Sequence, residues 1–113
     1  MLGCFGRGDT HNFMAAIGPD FRSGFTDPAP VSNADLAPTT AHILGLTLSG
    51  KGRLRGRVIS ESLVGGRPVP IVARTERSEP WRGVRTVLNV QIVGGERYFD
   101  AAGIPGRTLG LKP

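Results

Sequence analysis

The densest run of reactive side chains in the sequence is Asp9-Thr10-His11-Asn12. A carboxylate and an imidazole two positions apart point to one face of an extended backbone. That arrangement suits a metal-binding pair or a general base held in place by a carboxylate. A tight zinc site takes three or four ligands, so the pair would need donors from elsewhere. Cys4 is the only cysteine, which excludes an internal disulfide and any multi-cysteine metal site. The glycines that follow it, in Phe5-Gly6-Arg7-Gly8, lack the full run of backbone amides and the Arg spacing of a cysteine phosphatase loop. Gly3, Gly6 and Gly8 follow no strand, so they do not read as a dinucleotide fingerprint. His42 lies within a helical pattern and reads as a surface residue.

The elements that would position these groups can be read from periodicity. Thr10–Ile17 is an apolar run stopped by Gly18-Pro19 and reads as a strand buried on both faces. Residues 20–32, with Gly24, Pro28 and Pro30, form a surface loop. Asn33–Leu46 reads as a helix capped by Asn33 or Asp35, with Ala37, Ala41 and Leu44 on one face and Gly45 as its stop. Residues 47–53 form a polar loop, and Gly56–Val64 reads as a second, shorter helix ended by Gly65-Gly66. A weak strand is expected near Ile71–Thr75. Val84–Val93 alternates apolar and polar residues, and Gly94-Gly95 marks a two-residue hairpin turn that leads into Glu96–Asp100. The hairpin puts Phe99 beside Val90 on the buried face. Trp81 reads as a hydrophobic anchor, and the Gly/Pro-rich tail from Ala101 as a surface wrap.

A length of 113 residues allows one small domain, and 39% hydrophobic with 6% aromatic residues allows only a thin core. The net charge of +5 admits nucleic acid as a partner. The arginines are scattered, however, with a single cluster at Lys51–Arg57 and no aromatics interleaved for base stacking. No specific nucleic-acid partner follows from that pattern. The N-terminus carries no signal-peptide pattern, and no apolar run approaches membrane-span length, so a chain made alone is expected to stay in the cytoplasm.

Three blocks in order resemble the alkaline phosphatase superfamily, in its type I phosphodiesterase/nucleotide pyrophosphatase and sulfatase-like branch. They are DTHNFMAAIGPDFRSGF (Asp9–Phe25), SNADLAPTTAHILGL (Ser32–Leu46) and GRVISESL (Gly56–Leu63). The resemblance implies the C-terminal part of an α/β sandwich, with one core strand and two helices, followed by a β-hairpin. Residues 1–65 would then be the end of a hydrolase core, and residues 66–113 a hairpin extension with its tail. It also implies two zinc or other divalent ions and a Thr or Ser nucleophile. Nearly all the ligands would lie upstream of these blocks. The nearest one, a His in a His-Gly-Ser motif, would fall on Leu2, where Leu2-Gly3-Cys4 stands instead, or on Met1 with a one-residue shift. Asp9, His11 and Asn12 would sit at the edge of the substrate pocket.

The expected function is therefore that of a catalytically inactive, truncated piece of a metal-dependent phosphoester hydrolase, a phosphodiesterase, phosphatase or sulfatase-like enzyme. No metal would be bound in this chain, and its partner would be the missing catalytic body or a second copy through self-association. Relatives in such a family are often exported. A small non-catalytic interaction module built on the same fold is the alternative, and a weak basic nucleic-acid binder the third reading. If Thr10–Ile17 is an interior strand without neighbours, the chain should melt broadly and self-associate through its unpaired edges.

Overall fold

The alternating residues after Val84 do form the strand they predict. A computed structural model of the protein describes residues 4–113. It contains a three-stranded antiparallel sheet of β1 (Val72–Arg77), β2 (Val87–Val93) and β3 (Glu96–Gly103), in that spatial order. β1 pairs with β2 from Val72 opposite Ile92 to Arg77 opposite Val87. Gly94 and Gly95 both take positive φ, 57° and 88°, as a tight two-residue turn requires. Among the described residues helical structure is limited to a single turn, α1 (Arg7–Thr10), and a two-turn helix, α2 (Leu36–Ile43), with 3-10 turns at Asn33–Asp35 and Ser60–Ser62. The fold is thus mixed α/β. No helix among the described residues is long and apolar enough to cross a membrane.

The chain divides into two compact units. One comprises the residues up to Met14 with Ile71–Ile92 and Arg97–Pro113, and the other comprises Ala15–Pro70 with Val93–Glu96. In the first unit, Val87, Ala101 and Leu111 form a small buried cluster. The tail reaches it by turning back after β3. Thr108 accepts a hydrogen bond from the Ile104 amide at 3.1 Å, and the Leu109 carbonyl accepts one from the Arg7 amide at 2.9 Å.

The core strand expected at Thr10–Ile17 does not form. Phe13 and Ile17 are 89% and 99% exposed, which no interior strand allows. The polar residues at the start of that run take up the local backbone. His11 N–H donates to the Arg7 carbonyl at 3.0 Å, and the Asn12 side chain donates to the Asp9 carbonyl at 2.7 Å, closing a turn in place of a strand.

The helix expected over Gly56–Val64 is also replaced, by extended chain with one 3-10 turn. Its early amides are bonded away from the segment: Arg57 N–H donates to the Asp35 carboxylate at 2.8 Å and Ile59 N–H to the Thr39 hydroxyl at 3.0 Å. Leu63 then bridges to Phe21.

Three packing expectations change as well. α2 turns Thr39 and Ala41 inward, whereas Ala37 is exposed and Leu44 is 63% exposed. Tyr98 and Ala101 are buried in β3, and Phe99 lies outside, its ring edge-on to Phe5 at 5.8 Å. Trp81 anchors nothing in the chain: it is 70% exposed at the tip of the β1–β2 hairpin, with the Arg82 guanidinium 4.6 Å above its ring.

Candidate functional site

Asp9, His11 and Asn12 lie on the turn around α1. The short helix places Asp9 within it and His11 at its C-cap, and all three side chains are exposed. The same-face geometry of an extended pair is therefore absent. Asp9 accepts a hydrogen bond from the Cys4 thiol instead of facing His11. Among the described residues no group of three or more His, Cys, Asp or Glu side chains converges as a metal site. The residues present thus do not fit the two-metal centre that the family resemblance implies. Leu2, where the resemblance places a metal-ligating histidine, lies outside the described residues.

Beside this turn, in the same unit, Arg7 and Asp100 stand at one wall of an open groove of about 380 Å³. Arg7 Nε and Nη2 donate to the two Asp100 carboxylate oxygens at 2.9 and 2.7 Å. These bonds hold the Asp100 carboxyl below the usual carboxylate range, against the opposing cost of its partial burial, with a smaller contribution from the charge of His11. Thr75 and Asn89 pair across β1 and β2 on the groove floor, the hydroxyl donating to the Asn89 carbonyl oxygen at 2.9 Å. The Arg7 side chain is 45% exposed, and a pair so open to water contributes little to stability. The groove is open and lined by both polar and apolar side chains, and His11 is not among the residues that line it.

The buried chemistry of the chain lies in the other unit. Ser32 caps the helix start, its hydroxyl accepting from Ala34 N–H at 3.2 Å, while the Asp35 carboxylate accepts from Ser32 N–H at 2.8 Å. This is a capping box with Asp in the role of the usual Glu. The fully buried Asp35 carboxylate also takes the Arg57 amide, so it ties α2 to the segment after Gly56. Thr39 extends the tie by donating to the Asp35 carbonyl at 2.7 Å and accepting from Ile59 N–H.

Arg57 then forks onto Glu61, with Nη1 to Oε2 at 2.8 Å and Nη2 to Oε1 at 2.6 Å, and its Nη2 also donates to the Pro30 carbonyl at 3.1 Å. Burial pushes the Glu61 carboxyl up, but the hydrogen bonds and charge of Arg57 outweigh it and hold it below its ordinary value. Asp27 completes the lattice, accepting from the Ser62 hydroxyl at 2.8 Å and the Ala29 amide at 2.9 Å. Among the described residues no buried side-chain polar atom is left without a partner. Every acid and base in this lattice is occupied by another group of the same unit, so it braces the fold and offers nothing to a substrate.

Sequence reasoning missed Thr39, Arg57 and Glu61. Two local signals were present: the Ser-x-x-Asp spacing of Ser32 and Asp35, and the i, i+4 spacing of Arg57 and Glu61. No family model, curated protein or solved structure matches the chain.

Proposed function

We propose that this chain is a non-catalytic C-terminal element of a metal-dependent phosphoester hydrolase of the alkaline phosphatase superfamily, in the phosphodiesterase or sulfatase-like branch. It is inactive alone and is completed by a body that carries the nucleophile and the metal ligands. The observation that carries this reading is the way the three blocks of the resemblance bond to one another. The second and third blocks meet through Asp35 with Arg57 and Thr39 with Ile59. The GPDF part of the first joins the third through the Phe21–Leu63 bridge and backbone bonds of 2.9 Å from Arg22 N–H to the Ser62 carbonyl and from Val64 N–H to the Asp20 carbonyl. These contacts lie within one compact unit and keep the three blocks together, as the reading requires.

Purified chain is expected to hydrolyse neither p-nitrophenyl phosphate nor bis(p-nitrophenyl) phosphate above background, with or without added zinc. Zinc-dependent turnover that co-purifies with the chain and disappears in His11→Ala would overturn the proposal.

One observation favours a second reading, a small interaction module that reuses the same fold. The unit containing α2 satisfies its own buried polar groups and so needs no further body to close its polar core. A sharp two-state melt of a stable monomer would promote that reading over the first.

A further inference from the structure

We propose that β1 joins two copies of this chain into a dimer by antiparallel edge-to-edge pairing centred on Thr75. β1 is an edge strand, hydrogen-bonded to β2 on one side only, and all six of its residues are exposed. An edge strand of this kind presents a row of open amide and carbonyl groups, and proteins usually blunt such edges with proline, lysine or a bulge. β1, Val-Ala-Arg-Thr-Glu-Arg, carries neither proline nor lysine, and the charges it does carry, which ordinarily blunt an edge too, are of both signs and can pair with those of a second copy.

The sequence around β1 is matched to a two-fold axis at Thr75. In that register Arg74 stands opposite Glu76 of the second copy, and Glu76 opposite its Arg74. Directly opposed residues of an antiparallel pair share a face, so both contacts bring opposite charges together on one side of the sheet. Moving the axis by one residue sets Arg74 against Arg74, or Glu76 against Glu76, which is repulsive. The ends agree as well. Pro70 and Pro80 lie at equal distances from Thr75 and fall opposite one another. Both prolines lie outside β1 and bound its segment symmetrically about Thr75.

The side chains are free to make these contacts. Arg74 has no side-chain partner among the described residues. Glu76 accepts from Arg97 Nη2 at 2.6 Å through Oε1, leaving Oε2 for the second copy.

Sedimentation velocity on the full chain, over a wide range of loading concentrations, should show a reversible dimer. Arg74→Glu and Glu76→Lys each place like charges opposite one another twice per dimer, and each should raise the dimer Kd on the order of tenfold or more. An equimolar mixture of the two variants restores both attractive contacts and should dimerise again, as should the double variant Arg74→Glu/Glu76→Lys. Circular dichroism checks that each variant is folded. Arg74→Glu breaks no contact within the chain, so it carries the test even if loss of the Arg97 contact disturbs the variants that contain Glu76→Lys. Wild-type chain that stays monomeric at every concentration would overturn the proposal. So would single variants that dimerise like wild type, or variants that fail to recover on mixing and on charge exchange.

Discussion

Replacing Arg57 by alanine would leave the buried Glu61 carboxylate without the guanidinium that forks onto it. An uncompensated buried charge of this kind costs about 3–5 kcal/mol, far more than loss of the half-exposed Arg97–Glu76 pair. Urea denaturation of Arg57→Ala should show that loss, and Arg97→Ala should change stability by less than about 1 kcal/mol. The same pair sets a pH dependence. Glu61 is held below its ordinary value in the folded chain, so its contribution is present above the unfolded carboxyl value of about 4.3 and is lost as pH falls through the lower folded value. In Arg57→Ala, burial is opposed only by a backbone hydrogen bond and by Asp27, and the folded value rises. Protonation then relieves the buried charge, so the stability gap between wild type and Arg57→Ala should narrow as pH falls below the unfolded carboxyl value of about 4.3. The i, i+4 spacing of Arg57 and Glu61 hinted at the pair, but nothing in the residue types showed that it is buried. Arg57 stands at the end of the Lys51–Arg57 basic run and looks like its neighbours; only the fold separates it from the exposed loop.

At the scale of elements, the hairpin and α2 were legible because their signals are local. Gly94-Gly95 requires only its own φ values, and Gly45, at φ 65°, ends the helix from within it. The segment after Gly56 was not legible, because its conformation is decided by α2. Its helical spacing is real, but two of its amides find better acceptors in Asp35 and Thr39 across the unit. Gly56 is where the segment turns onto that surface. It takes φ 103°, and a Cβ there would come within 2.2 Å of the Ala34 carbonyl oxygen. Gly56→Ala therefore meets both a disfavoured backbone conformation and a backbone clash, and it should destabilise the chain by about 2 kcal/mol or more. Gly65→Ala makes the comparison. Gly65 also has positive φ, 78°, but no atom lies near its would-be Cβ. It should cost only the conformational part, about 1 kcal/mol. Equal losses for the two variants in thermal or urea unfolding would show that the close approach at Gly56 carries no weight. Thr10–Ile17 failed as a strand for the complementary reason. Its apolar content suggested burial, but the His11 amide and the Asn12 side chain bond to the carbonyls of Arg7 and Asp9 and close a turn.

For the molecule as a whole, composition forecast a thin core, and the structure has one. Ten hydrophobic residues are buried among the described ones, three of them alanines, while sixteen large hydrophobic residues are exposed. Buried alanines contribute little apolar area, so the hydrophobic term is small against the entropy of ordering a chain of this length. The buried ionic lattice does little to make up the difference, because the desolvation of Asp35 and Glu61 offsets much of what their partners return. The folded state should therefore be marginal, with an unfolding free energy at or below the low end of the usual 5–15 kcal/mol. Exposed Phe13, Ile17, Leu44, Leu46 and Trp81 should also bind a hydrophobic dye such as ANS in the native state. Urea unfolding and dye fluorescence on the same preparation test both statements. If the chain is completed by a catalytic body, adding that body in trans should raise the melting temperature by mass action and quench the dye signal together. A chain that binds no dye and unfolds well above 5 kcal/mol would mean that its packing is stronger than its small buried core implies.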